Sequence, residues 1–176
     1  MDCEDNPEYA GMPSLALMTE TALSRLTGGD SGADSFFLMI ESASIDKQSH
    51  LRKACGSIGE LQQLDEALDL ALEFAKLHPD TLVLVTADHG QAAQLVPERT
   101  LFIDIPVPVY SPGYLARINT VEGEIMGVNY ATNNFLSEEH TGVNVPLLSN
   151  AVGQGLVPAM VTQPEIFDII KSHLLK

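Results

Sequence analysis

Three short stretches of this chain bring carboxylates and imidazoles together: IESASIDKQSH at residues 40–50, TADHG at 86–90 and EEHTG at 138–142. In the first, Asp46 and His50 are four residues apart. On a helix they project from one face, one turn apart, where a carboxylate and an imidazole can share a metal ion. Taken alone, D-x-x-x-H is also the common pattern of an exposed helix pair. In the second, an apolar run ends abruptly in Asp88 and His89. Ligands of parallel α/β sheets bind outside the carboxyl ends of the strands. Successive strand residues point to opposite faces, so Asp88 and His89 reach one ion only if the backbone turns, which Gly90 makes easy. The plainer alternative is a capping Asp88 and a loop histidine. In the third, His140 precedes another expected strand and alone would be a surface histidine. His78 and His173 fall near helix C-termini, where an imidazolium suits the helix dipole, and are assigned no chemistry. Together the stretches describe a metal site. Imidazole and carboxylate ligands suit zinc, and an all-oxygen set to which Glu41 contributes suits magnesium. Two adjacent zinc ions would clamp the attacking and leaving oxygens of a phosphoryl transfer.

These groups need elements to hold them. Ser35–Glu41, with its apolar run Phe36-Phe37-Leu38-Met39-Ile40, reads as a buried strand delivering Glu41, and a short helix follows with Asp46 and His50. Residues 1–13, polar and containing Pro7, Gly11 and Pro13, read as an irregular leading segment. Ser14–Leu26 predicts a helix with Leu15, Met18, Ala22 and Leu26 on one face, stopped by Gly28, Gly29 and Gly32. Gly56 and Gly59 mark a loop. Glu60–Leu77 then predicts a helix with a stripe of Leu61, Leu64, Leu68, Ala71, Leu72 and Ala75, closed by His78-Pro79. Thr81–Ala87, TLVLVTA, reads as a buried parallel strand. Helix then buried strand, twice over, argues for an α/β layered fold. From Pro97 to Glu139 the prolines and glycines break the pattern into a loop-rich insertion with one strand at Ile125–Tyr130. Val143–Leu148 predicts another strand, kept near an edge or bend by Pro146. Pro164–Leu175 predicts a terminal helix with Ile166, Phe167, Ile169, Ile170 and Leu174 as its apolar side.

The 176 residues are one domain's worth of chain or part of a larger one, and an apolar content of 45% suffices for a core. No run of apolar residues is long enough to predict a membrane span. The formal charge of −15 argues against nucleic-acid binding, which needs a basic footprint. It would also repel an anionic substrate, unless a bound divalent cation reverses the field locally. An acidic surface suits solubility and a salty habitat as well. Met1 is followed by Asp-Cys-Glu-Asp, so no signal peptide is read: the protein is cytosolic, or the chain does not begin where its gene product begins. Cys3 and Cys55 can pair or stay free, and spacing does not say which. They form no CxxC pair, which argues against a redox motif or zinc ribbon.

SFFLMIESASIDKQSH, CGSIGELQQLDEALDLALEFAK, TLVLVTADHGQAAQLV and EEHTG, in that order, closely resemble the C-terminal part of bacterial alkaline phosphatases of the periplasmic type. The likeness runs from Met12 to the end. It implies a three-layer α/β sandwich with a mostly parallel central sheet. Residues 1–176 would be the C-terminal portion of a single domain, with 97–139 as an insertion within it. It also implies phosphomonoester hydrolysis through two zinc ions, one magnesium ion and a phosphoserine intermediate, with phosphate monoesters and inorganic phosphate as ligands, in a homodimer. Residue by residue, Asp46, His50 and His140 match ligands of the first zinc, Asp88 and His89 ligands of the second, and Glu41 the magnesium ligand. Lys47 matches a lysine that acts on phosphate through water. Cys3 and Cys55 match a disulfide pair, which implies the periplasm or the cell exterior.

Some positions depart from the family. Ser42 stands where glycine is common and Gly90 where alanine or serine is more usual; both are small and are expected to leave the metals undisturbed. The family's nucleophilic serine, its phosphate-clamping arginine, an aspartate bridging the second zinc and the magnesium, and a threonine on the magnesium all fall upstream of these motifs. Asp34-Ser35 is no substitute, because it precedes a strand rather than a helix N-terminus that favours phosphate. Arg25, Arg52, Arg99 and Arg117 lie in no matching motif. The complete protein is therefore expected to be a phosphomonoester hydrolase. This chain alone is expected to have little or no activity, with exposed sheet edges and poor solubility. The alternatives are a noncatalytic zinc-binding domain and a related metallohydrolase of phosphodiesters or sulfate esters. The DKQSH segment and the cysteine pair favour the phosphatase.

Overall fold

The structure is a computed structural model that describes residues 1–28, 35–96, 115–130, 133 and 135–175. Gly29, Gly32, Asp34, Arg99 and the proline-rich part of the expected insertion lie outside the described residues. In chain order the elements are α1 (Leu15–Thr27), α2 (Ser44–His50), α3 (Ala54–Leu77), β1 (Leu84–Thr86), β2 (Gly90–Gln91), β3 (Gln94–Val96), β4 (Leu115–Asn119), β5 (Ile125–Asn129), β6 (His140–Thr141), β7 (Leu147–Ser149) and α4 (Gln163–Leu174). They divide between two compact units. The first is Met1–Met12, Ala43–Gln62 and His89–Val143; the second is Pro13–Ser42, Gln63–Asp88 and Asn144–Lys176.

In the first unit, α3 starts six residues before the expected Glu60, and Gly56 and Gly59 sit inside it rather than in a loop. The reason is close approach. A Cβ on Gly56 would fall 2.4 Å from Gln48 Oε1 of α2, so the glycine lets two helices touch. Ser57 Oγ completes the seam, 2.9 Å from Ser49 Oγ and donating to the Ile45 carbonyl at 3.3 Å. The leading segment is anchored twice: a Cys3–Cys55 disulfide ties it to α3, and the Met1 ammonium donates to the Arg117 carbonyl of β4 at 2.9 Å. Strands β3, β5 and β4 form an antiparallel sheet in that spatial order. Gly123, at φ +83°, makes the turn of the β4–β5 hairpin, a conformation that L side chains disfavour. Ala54, Ile118, Val128 and Tyr130 form the core, with Cys55, Ala93, Ala116 and Met126 packed against it.

In the second unit, Ser14 caps α1 by accepting from the Leu17 N–H at 3.2 Å, as an N-cap serine should. The inward face runs through the buried Thr19 and the half-buried Leu15, Ala22 and Leu26. Met18, expected on that face, is 49% exposed, and Thr19 is 2% exposed in its place. Threonine tolerates burial here because its hydroxyl donates to the Leu15 carbonyl at 2.8 Å. Strand β1 occupies the expected TLVLVTA run, but it pairs antiparallel with β7, Val85 opposite Leu148. Every ladder among the described residues is antiparallel, so the mostly parallel central sheet is not found. An apolar β-branched run fixes extension and burial; the direction of its neighbour is a property of the partner, which the run does not encode. Residues 35–42 join no ladder among the described residues. Their side chains alternate, with Phe36, Leu38 and Ile40 half-buried and Phe37 and Met39 exposed. That is a strand's periodicity with one face bare, not the buried strand expected. Helix α4 begins at a capping box in which Thr162 donates from its N–H and hydroxyl to the Glu165 carboxylate, at 2.7 and 2.6 Å.

Candidate metal centre

Within the first unit, α2 and the paired strands β2 and β6 converge. One turn of α2 sets Asp46 and His50 on one face, with His50 Nε2 3.3 Å from Asp46 Oδ1. The β2–β6 ladder places Gln91 opposite His140. His140 Nε2 reaches Asp46 Oδ1 at 3.2 Å and His50 Nε2 at 3.0 Å. Three donor atoms thus form a triangle with edges of 3.0, 3.2 and 3.3 Å. Ligands of a tetrahedral zinc ion, bound at about 2.0–2.2 Å, stand about 3.3 Å apart. The donor set is therefore of the right kind and the right spacing to share one ion.

The tautomer of His50 supports the same use. Its Nδ1 lies 2.5 Å from the Glu138 carbonyl oxygen. A carbonyl only accepts, so Nδ1 carries the proton, and in the neutral ring the Nε2 lone pair faces Asp46 and His140. His89 follows a bend at Asp88 and stacks on the His140 ring, with centroids 3.6 Å apart. Its Nε2 is 3.9 Å from Asp46 Oδ1, and donor atoms of Asp46, His89 and His140 all lie within 4.8 Å of one another. Asp46 and His140 thus belong to two overlapping triads, one completed by His50 and one by His89.

Of the residues singled out from sequence, Asp46, His50, His89 and His140 meet in this cluster. Lys47 is exposed on α2. Glu41 and Asp88 belong to the second unit and are exposed; the Asp88 carbonyl accepts from Gln163 Nε2. The backbone bends at Asp88 and His89 as their sharing an ion would require, but Gly90 does not supply that bend through a positive φ. It serves close approach instead, since a Cβ there would fall 2.4 Å from Val143 Cγ2. Sequence reasoning passed over three neighbours. Gln91 Nε2 donates to Asp46 Oδ1. Glu138 is fully buried and pairs with Arg52 Nε at 2.9 Å. Tyr130 is 3% exposed; burial, and then the charge of Glu138, push its phenol up from the usual range.

The family model described as alkaline phosphatase matches residues 2–144. Among curated relatives, the chain is 38% identical over 173 residues to the alkaline phosphatase of Escherichia coli (strain K12), covering 98% of this chain and 34% of that protein. This chain belongs to the alkaline phosphatase family. Alkaline phosphatase H of Pseudomonas aeruginosa (strain UCBPP-PA14) is 37% identical over 99% of this chain and 34% of its own length. A streptomycin-6-phosphate phosphatase of Streptomyces griseus is 41% identical over 94% of this chain and 36% of its own. The chain thus spans about a third of the length of these alkaline phosphatase relatives. No helix among the described residues is long and apolar enough to cross a membrane.

Proposed function

We propose that this chain carries the zinc-binding part of a phosphomonoester hydrolase. The observation that carries the reading is the triangle of Asp46 Oδ1, His50 Nε2 and His140 Nε2, with edges of 3.0–3.3 Å, in a chain of this family. These three residues would hold the first zinc. His89, with Asp88, would serve the second, Glu41 would serve magnesium, and Lys47 would lie near the phosphate. Bound there, the ions supply the positive charge that attracts a phosphate monoester to an acidic chain, and the Lewis acidity that activates oxygen at phosphorus. The chain's own part is to hold Asp46 through Gln91, to keep the His50 lone pair turned inward through the Glu138 carbonyl, and to bring His140 in on β6. The phosphoserine step requires a serine with no counterpart here. The complete protein is the hydrolase, a periplasmic or secreted homodimer, and this chain alone binds zinc without turning over substrate.

Zinc competition against a chromophoric chelator, run beside p-nitrophenyl phosphate hydrolysis, tests both halves. The expected result is stoichiometric zinc binding that weakens at least tenfold in His50→Ala, with no phosphatase activity above buffer. Equal zinc affinity in wild type and His50→Ala would overturn the assignment.

A further inference from the structure

Arg52 does something no motif announces. It follows α2 by two residues and is the only non-glycine described residue with positive φ, +57°, where a residue without a side chain would be less strained. That turn aims the guanidinium at Asn133 and residues 135–138. Nε donates to Glu138 Oε2 at 2.9 Å. The two Nη groups donate to Asn133 Oδ1 at 3.0 Å and to the carbonyls of Phe135, Leu136 and Ser137 at 2.9, 3.3 and 3.5 Å. The pair is secluded, with side-chain exposures of 11% for Arg52 and 0% for Glu138. Glu138 in turn grips His50 through its backbone: its N–H donates to the His50 carbonyl at 3.0 Å, and its own carbonyl takes the His50 Nδ1 proton. Two residues later the same segment delivers His140.

We infer that Arg52, locked to Glu138, is a positioning residue for the metal centre: it ties down Asn133 and residues 135–138 so that the Glu138 backbone holds His50 in its Nδ1–H tautomer and sets His140 against it. The planar fork suits this task, because one side chain bridges a carboxylate and several carbonyls that a lysine ammonium could not span together. Groups that orient ligating imidazoles typically govern metal affinity by about 10–100-fold. The inference rests on the zinc reading above but has a readout that needs no metal.

The test uses the full chain with Arg52→Ala, Arg52→Lys and the charge-neutral double variant Arg52→Leu/Glu138→Gln, which leaves no buried charge unpaired if Arg52→Ala fails to fold. Ring ¹⁵N shifts of His50 in metal-free protein report the tautomer; chelator competition reports zinc affinity. Wild type should show a single Nδ1–H tautomer. The variants should show a mixture of tautomers and zinc affinity about 10–100-fold weaker, with no recovery in Arg52→Lys. An unchanged His50 tautomer and unchanged affinity in the folded double variant, or full recovery with lysine, would overturn the clamp. A wild-type chain that binds no zinc would sink the metal reading instead, while the His50 tautomer would still decide the clamp.

Discussion

At the scale of single residues, the centre depends on how little room β2 and β6 leave between them. Gly90 faces Val143 Cγ2 and Thr141 Oγ1, which an added Cβ would meet at 2.4 and 2.8 Å. Gly90→Ala should therefore push β6 away and carry His140 with it. Overpacking of this kind costs about 1–3 kcal/mol, so urea unfolding should shift by that amount and zinc affinity should fall with it. A variant as stable as wild type would show that β6 yields without cost. The same residues show what sequence reveals. Asp46 and His50 are legible because their spacing is local. His140 is legible only through its EEHTG motif. Gln91, 45 residues from Asp46, and Arg52, 86 from Glu138, are not, because neither polar side chain signals a distant partner.

At the scale of elements, helices were easier to read than strands. A helix closes its hydrogen bonds internally, so α1 and α4 fall within a residue or so of their expected bounds and α2 carries Asp46 and His50 as expected; the start of α3 was missed because Gly56 and Gly59 lie inside it. A strand's pairing is decided elsewhere in the chain, which is why β1 carried no sign that β7 would run antiparallel to it. The capping box of α4 gives this scale its test. Bonds from the Thr162 hydroxyl and N–H hold the Glu165 carboxyl below its ordinary range. A depressed folded pKa adds stability above the unfolded pKa and loses it as pH falls through the folded one. The first turn of α4 should therefore fray on the acid side of the usual glutamate range. Amide exchange of Glu165 to Asp168 against pH should show this, and Thr162→Ala should move the transition toward an ordinary glutamate. An identical pH profile in Thr162→Ala would contradict the cap.

At the scale of the whole molecule, the net charge of −15 and the cluster of Asp46, His50, His89 and His140 belong to one account. An acidic chain gains an attractive field for phosphate only where it concentrates cations. The family was legible in the sequence, and so were the four residues that meet in the cluster. The fold was legible in its helices and in strands β1 and β5, but not in sheet direction, and the strand expected at Ser35–Glu41 joins no ladder among the described residues. Phe37 and Met39, 59% and 74% exposed, show why: the apolar run predicted a buried strand, yet burial also depends on what packs over the second face. X-ray absorption at the zinc edge, on the full chain loaded with one equivalent of zinc, tests the central claim most directly. The account predicts a first shell of nitrogen and oxygen at about 2.0–2.2 Å, with the multiple-scattering signature of at least two imidazoles, one of them lost in His50→Ala. A shell without imidazole, or one unchanged in that variant, would contradict it.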